Sequence, residues 1–226
     1  ILAFAAALCN YFIIIVDYGF NLTAVRDIAR NRHDINHLRI IFTKVFFSKL
    51  LLLLVSISLF FSIISLVPIF RSNYLIYIFS FFVVINNLFY PQWFFQGIEK
   101  MKFITILNII IQILYLISIF LFIRKESDYI YIPLLMGVSS FLIAIISMII
   151  IYKKYNVRLV KVSIKQVLST ISKGRYIFIN QFFPNLYKNS SVIILGFFAP
   201  LNSVGLYAAA EKIISIASSV ISILSK

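Results

Sequence analysis

The chain has 226 residues, of which 62% are hydrophobic and only 12% charged, and its mean hydropathy is +1.02. Soluble domains carry about 25% charged residues, so this composition excludes an ordinary water-soluble fold. A net charge of +14 would suit a nucleic-acid binder, but the positive residues are sorted by loop as in a membrane protein, which removes nucleic acid from the partners.

The sequence predicts seven apolar runs, at 1–16 (extendable to 20), 40–66, 74–90, 103–123, 129–152, 176–199 and 206–224. Most approach the ~20 residues that cross a bilayer as a helix, and in lipid the backbone must satisfy its own hydrogen bonds. The expected class is therefore all-α, a polytopic helical membrane protein.

The first run places Asn10, Asp17 and Asn21 within about 40° on one helical face, with Gly19 as a point where that helix could end. The loop after it contains His33-Asp34-Ile35-Asn36-His37, whose spacing superficially resembles a zinc-protease motif. Asp stands where the general-base Glu would be, no third His exists and Arg30, Arg32 and Arg39 crowd the site, so a solvated loop is the expectation and no metal is assigned. Cys9 is the only cysteine, which excludes an internal disulfide and a thiolate cluster. Lys44 and Lys49, early in the second run, are expected to snorkel toward the interface.

Loops 17–39, 91–102 and 153–175 hold thirteen Lys and Arg residues, whereas the alternate loops 67–73, 124–128 and 200–205 hold three. The positive-inside rule makes the first set cytoplasmic. In the fourth run Thr105, Asn108, Gln112 and Tyr115 fall within about 80° of one another. The 153–175 connection carries an amphipathic pattern. Val160, Ile164, Val167, Leu168 and Ile171 form a stripe, with Lys161, Lys165 and Lys173 facing away, a Ser163/Gln166 capping box at its start and Gly174 at its expected end. Such a helix suits anionic lipids of the inner leaflet, either as a hinge between two bundles or as a resting connector.

The sixth run contains Lys188, 12 residues from one end and 11 from the other, or roughly 17 Å from each face. A charge near the bilayer centre costs about 2.5–3.5 kcal/mol and usually faces a cavity or a partner. Gln181, Asn185, Lys188 and Asn189 share about 100° of arc, and Pro184 predicts a kink beside them. Interhelical packing uses the same residue types as a polar pathway, so one stripe alone decides nothing. Glu211 is expected roughly 8 Å into the seventh run, either ion-paired with a lysine or facing a lumen. No phosphate loop, nucleophile elbow or other catalytic constellation is present, and neither an enzyme nor a cofactor is expected.

Three stretches carry a resemblance. Asp17-Tyr18-Gly19-Phe20-Asn21-Leu22-Thr23-Ala24-Val25-Arg26-Asp27-Ile28-Ala29 and Pro91-Gln92-Trp93-Phe94-Phe95-Gln96-Gly97-Ile98-Glu99-Lys100-Met101-Lys102 resemble two successive cytoplasmic loops of Wzx-type O-antigen flippases. Leu186-Tyr187-Lys188-Asn189-Ser190-Ser191-Val192-Ile193-Ile194-Leu195-Gly196-Phe197-Phe198, with Val204-Gly205-Leu206-Tyr207-Ala208-Ala209-Ala210-Glu211-Lys212-Ile213, is similar to their seventh and eighth helices. Lys188 stands where a small polar residue is commoner in that family. The resemblance implies the multidrug/oligosaccharidyl-lipid/polysaccharide exporter superfamily and a MATE-like arrangement of twelve helices in two lobes. This chain would supply the second to eighth helices: an N-terminal lobe at 1–152, a cytoplasmic linker at 153–175 and the start of a second lobe at 176–226.

The function so implied is export of undecaprenyl-diphosphate-linked O-antigen repeat units across a bacterial inner membrane, with polymerase and chain-length proteins as further partners. Lys188, Asn185, Gln181, Asn189, Asn108, Gln112, Asp17 and Glu211 would line the pathway, and Arg26, Arg30 and Lys100 its cytoplasmic entrance. Three rival readings are an ion-coupled drug exporter of the same superfamily, a membrane enzyme of the same pathway and a non-transporting scaffold. The first predicts a smaller, more acidic and aromatic cavity, and the second a reactive constellation or large outer loops.

Overall fold

The computed structural model describes the backbone of residues 1–71 and 73–224, and their side chains except those of residues 188, 201, 202 and 219–224. The described residues form helices α1 (Leu2–Asp17), α2 (Phe20–Arg30), α3 (Ile35–Leu66), α4 (Pro68–Arg71), α5 (Tyr74–Phe89), α6 (Gln92–Gly97), α7 (Met101–Phe122), α8 (Ile132–Lys154), α9 (Ile164–Phe198) and α10 (Leu201–Leu224), with a 3-10 segment at Glu126–Tyr131. No strand occurs among them. Among the described residues five stretches are long and apolar enough to cross a membrane: Leu2–Arg30, Ile35–Leu66, Tyr74–Gly97, Met101–Phe122 and Glu126–Lys154. The protein is a multi-pass helical membrane protein. Helix α9 covers the run expected at 176–199 as part of one continuous helix, Ile164–Phe198.

Local chemistry sets the helix ends. Tyr18 and Gly19 both take left-handed backbone, φ 45° and 76°, which stops α1 at Asp17 and turns the chain into α2. Helix α3 begins five residues before its apolar run because the Asp34 carboxylate accepts from the Asn36 and His37 N–H groups. The His37 ring also bonds that carboxylate at 2.7 Å and, with the backbone donors, holds it below the usual carboxylate range. The His33–His37 loop is thus a helix cap, and no cluster of three metal-ligating side chains exists among the described residues. Val67, extended before Pro68, ends α3.

The 153–175 segment departs from expectation. The Ser163/Gln166 capping box forms, but the helix it starts runs unbroken through Gly174 and Pro184 to Phe198. Gly174 is needed for a close approach instead of a stop, since a Cβ there would lie 3.2 Å from the Tyr18 carbonyl oxygen. At 1.5 Å per residue, the 35 residues of α9 span about 52 Å, so one helix serves as both connector and sixth run.

Two buried clusters divide the bundle, one at its basic end and one running through its body to the other end. One joins Phe20, Ile28, Leu38, Phe42, Trp93, Phe94, Phe95, Ile151 and Val157, and so gathers the three basic loops. Polar links tie the same loops: Arg32 pairs with Glu99 at 2.6 Å, Arg39 Nε donates to the Asn156 carbonyl at 3.0 Å, and the Val160 N–H donates to Thr43 Oγ1 at 3.1 Å. The other cluster reaches Phe4, Phe70, Tyr77 and Val204, next to Val67 and Ile69 of a loop poor in charge and to Tyr129 and Ile130 just after another. The alternation read from charge is therefore an alternation in space. Helices α5 and α8 are fastened by Asn86, whose Nδ2 donates to the Gly137 carbonyl at 2.6 Å, a polar bond of the kind that holds helices together in lipid.

A topological expectation follows. In a Cys9→Ala background, a single cysteine at the exposed Ser203 should react with an impermeant thiol reagent added outside intact cells, and one at the exposed Ser163 should not. The reverse labelling would invert the orientation.

Candidate functional site

Helix α1 carries Ala3, Ala6 and, one turn further, Asn10 along one face. Two adjoining cavities of about 480 and 550 Å³ flank that face and share Ala3, Ala6, Asn10, Ile13, Ala208 and Lys212. The smaller is completed by Ser80 of α5, Tyr115 of α7, Pro133 and Met136 of α8, and Gly205 and Ala209 of α10. The larger is completed by Asn185, Asn189 and Val192 of α9 and by Glu211 and Ser215 of α10.

Each polar stripe expected from the sequence contributes to this crevice: Asn10 from the first, Tyr115 from the fourth, Asn185 and Asn189 from the sixth. The two α9 amides donate back to their own helix, Asn185 Nδ2 to the Gln181 carbonyl at 2.8 Å and Asn189 Nδ2 to the Asn185 carbonyl at 3.0 Å. Their donors are held while each Oδ1 remains an acceptor for a ligand hydroxyl. Pro184 removes one helix N–H nearby, and Tyr11 donates to the Leu186 carbonyl at 3.1 Å, so α9 is held to α1 beside the crevice.

Glu211 sits deeper than expected. Helix α10 starts at Leu201, which places Glu211 and Lys212 ten and eleven residues in, about 15–17 Å along the axis. Lys212 is thus a mid-helix cation lining both cavities. It was missed as a site residue because the apolar run was started at Leu206; the signal available was Pro200, whose carbonyl accepts from the Ser203 and Val204 N–H groups and opens the helix. The Lys188 side chain lies outside the described residues; its backbone is in α9 between Asn185 and Asn189.

The remaining expected residues lie elsewhere. Asn108 is exposed on α7 and accepts from Tyr90 at 2.9 Å and Gln92 at 3.3 Å, while Gln112 is exposed one turn on. Gln181 is half-buried in α9 and its side chain borders neither cavity. Arg26 and Arg30 are exposed on α2, with Arg26 3.5 Å from Asp27, and Lys100 is exposed at the start of α7. Asp17 lines neither cavity. Its carboxylate pairs at 2.7 Å with Lys49, which is 2% exposed; Lys49 is buried and does not snorkel.

The architecture is that of a multi-pass bundle with a largely apolar crevice, studded by three asparagine amides, between its first helix and its last two. Over residues 1–226 the chain matches the family model described as polysaccharide biosynthesis protein, and it belongs to that family. Two relatives carry the printed name "Putative O-antigen transporter". The one from Escherichia coli (strain K12) is 33% identical over 214 residues, covering 94% of this chain and 51% of the relative. The one from Shigella dysenteriae is 26% identical over 204 residues, covering 88% and 50%. The chain thus spans about half the length of the curated relatives it matches. The resemblance read from residues 17–29, 91–102 and 186–213 is borne out. No solved structure matches the chain.

Proposed function

We propose that the full-length protein is a flippase that moves an undecaprenyl-diphosphate-linked O-antigen repeat unit from the inner to the outer leaflet of a bacterial cytoplasmic membrane. The convergence of Asn10, Tyr115, Asn185 and Asn189 on one crevice carries this reading. Each sugar hydroxyl stripped of water costs about 4–8 kcal/mol in an apolar medium. Amide and phenol groups replace those lost bonds without fixing the cargo by charge, and the lipid tail stays in the bilayer. Lys212 and Glu211 supply opposite charges at mid-depth, Lys212 for the diphosphate or an acidic sugar. Lys188, Gln181, Asn108 and Gln112 extend the path in this reading, and Arg26, Arg30 and Lys100 gather the diphosphate at the basic end.

Movement is alternating access. The helices up to α8 rock against α9 and those that follow it, with anionic lipids along the basic connection. No bond is made or broken and no cofactor takes part; polymerase and chain-length proteins receive the product. The acidic Glu211 in the larger cavity favours one rival, a cation-coupled drug exporter of the same superfamily.

Replacing Asn185 and Asn189 together by leucine separates the two. The helix keeps its backbone bonds, so abundance in the membrane should hold. Glycan flipping should fall at least tenfold, a loss of about 1.4 kcal/mol, which two lost acceptors readily exceed. Undiminished flipping would remove the crevice from the pathway, and loss of drug efflux instead would favour the rival.

A further inference from the structure

Lys49 is set in the middle of α3, fourteen residues from its start, and all three of its ammonium hydrogens have partners. Nζ lies 2.7 Å from Asp17 Oδ1, 2.9 Å from Asn87 Oδ1 and 3.3 Å from the Asn87 carbonyl. Asn21 Nδ2 holds the other Asp17 oxygen at 2.9 Å. Asp17 is the last residue of α1, and Asn87 lies in the last turn of α5. The ammonium therefore sits between two helix C-termini, where backbone carbonyls concentrate negative potential, in addition to the carboxylate. Three helices, α1, α3 and α5, meet at this one cation, and α2 joins them through Asn21 on Asp17.

What the cation holds is the corner at Tyr18 and Gly19, immediately after Asp17. Helix α9 rests on that corner. The Tyr18 ring stacks on Phe178 at 4.5 Å, a Cβ on Gly19 would lie 2.5 Å from Ile177 Cγ2, and Gly174 lies against the Tyr18 carbonyl. A buried ion pair is poor at adding stability compared with apolar side chains of the same size. It is well suited to fixing one geometry, because alternatives leave a charge without a partner.

We propose that Lys49 is a positioning residue, a latch whose pair with Asp17 keeps the α1–α2 corner seated on α9 and so sets the closure of the basic end of the bundle. The corner loosens when the pair is broken, while the opposite end, fastened by Phe4, Phe70 and Phe197, stays as it is. This inference rests on the corner's geometry and is read out by distance, separately from transport, so either reading can fail alone.

The test uses the full-length protein, Cys9→Ala, in nanodiscs, with spin labels on two pairs of exposed positions. Leu22 and Tyr176 report the corner; Leu66 and Phe198 report the opposite end. The parent should give one narrow distance for each pair. Lys49→Met and Asp17→Asn should each add a longer-distance population of at least a third at the corner and leave the opposite pair unchanged, and Lys49→Arg should restore most of the narrow peak. Asp17→Asn keeps the side chain's size and its amide can still bond Asn21, so it remains informative if Lys49→Met fails to fold. An unchanged corner in folded Asp17→Asn protein, or equal broadening of both pairs, would overturn the latch.

Discussion

Truncating Lys212 to alanine in the full-length protein is expected to lower glycan flipping at least tenfold without changing the amount of protein in the membrane. The side chain is exposed to the cavities, so its removal opens no packing void. A hydrogen bond to a charged group contributes about 1.5–3 kcal/mol, and in a crevice walled by alanine and isoleucine the ammonium is screened less than at a water-facing surface. Lys212→Arg should keep part of the activity and Lys212→Glu, beside Glu211, should abolish it. Rates should be measured in vesicles at matched protein density. Full activity in the alanine variant would reduce Lys212 to a bystander on α10.

Gly19→Ala should destabilise the protein by about 2–4 kcal/mol, the largest effect expected from adding one methyl group. Left-handed backbone costs an alanine about 1–2 kcal/mol, and the position has φ +76°. The new Cβ would also lie 2.5 Å from Ile177 Cγ2 and 3.3 Å from the Phe178 backbone nitrogen, and overpacking of this kind costs about 1–3 kcal/mol. The two causes can be separated. Ile177→Ala removes the Cγ2 contact but leaves the strain, so the double variant should recover only part of the loss. Thermal unfolding in detergent measures this; a Gly19→Ala protein as stable as the parent would show that α9 does not press on the corner.

Much of the fold was legible because hydropathy is read one segment at a time. The runs at 74–90 and 103–123 end within two residues of α5 and α7. Charge sorting also sufficed to foresee that residues 17–39, 91–102 and the start of 153–175 meet at one end. Harder were the features set by contacts between distant segments. Gly174 reads as a helix stop, yet its lack of a side chain serves Tyr18, 156 positions away. Lys49 reads as a snorkelling lysine because its partners, Asp17 and Asn87, come from other helices.

The site divided in the same way. Helical spacing placed Asn185 and Asn189 on one face correctly, since 3.6-residue periodicity is local. It could not decide that the α9 face meets Asn10 while Gln112 remains outside the crevice, because that depends on how α7 packs. A five-residue error in the start of α10 was enough to misplace Glu211 and to hide Lys212.

The central claim is that the protein carries a lipid-linked glycan. It is tested most directly by reconstituting the full-length protein in vesicles with a fluorescent undecaprenyl-diphosphate oligosaccharide confined to one leaflet, and timing the appearance of glycan on the other with a membrane-impermeant glycosidase. The account predicts protein-dependent exposure, absent from empty vesicles and reduced at least tenfold by the Asn185→Leu, Asn189→Leu pair. Glycan that stays on its original leaflet, while the same vesicles move a small cationic drug, would contradict it.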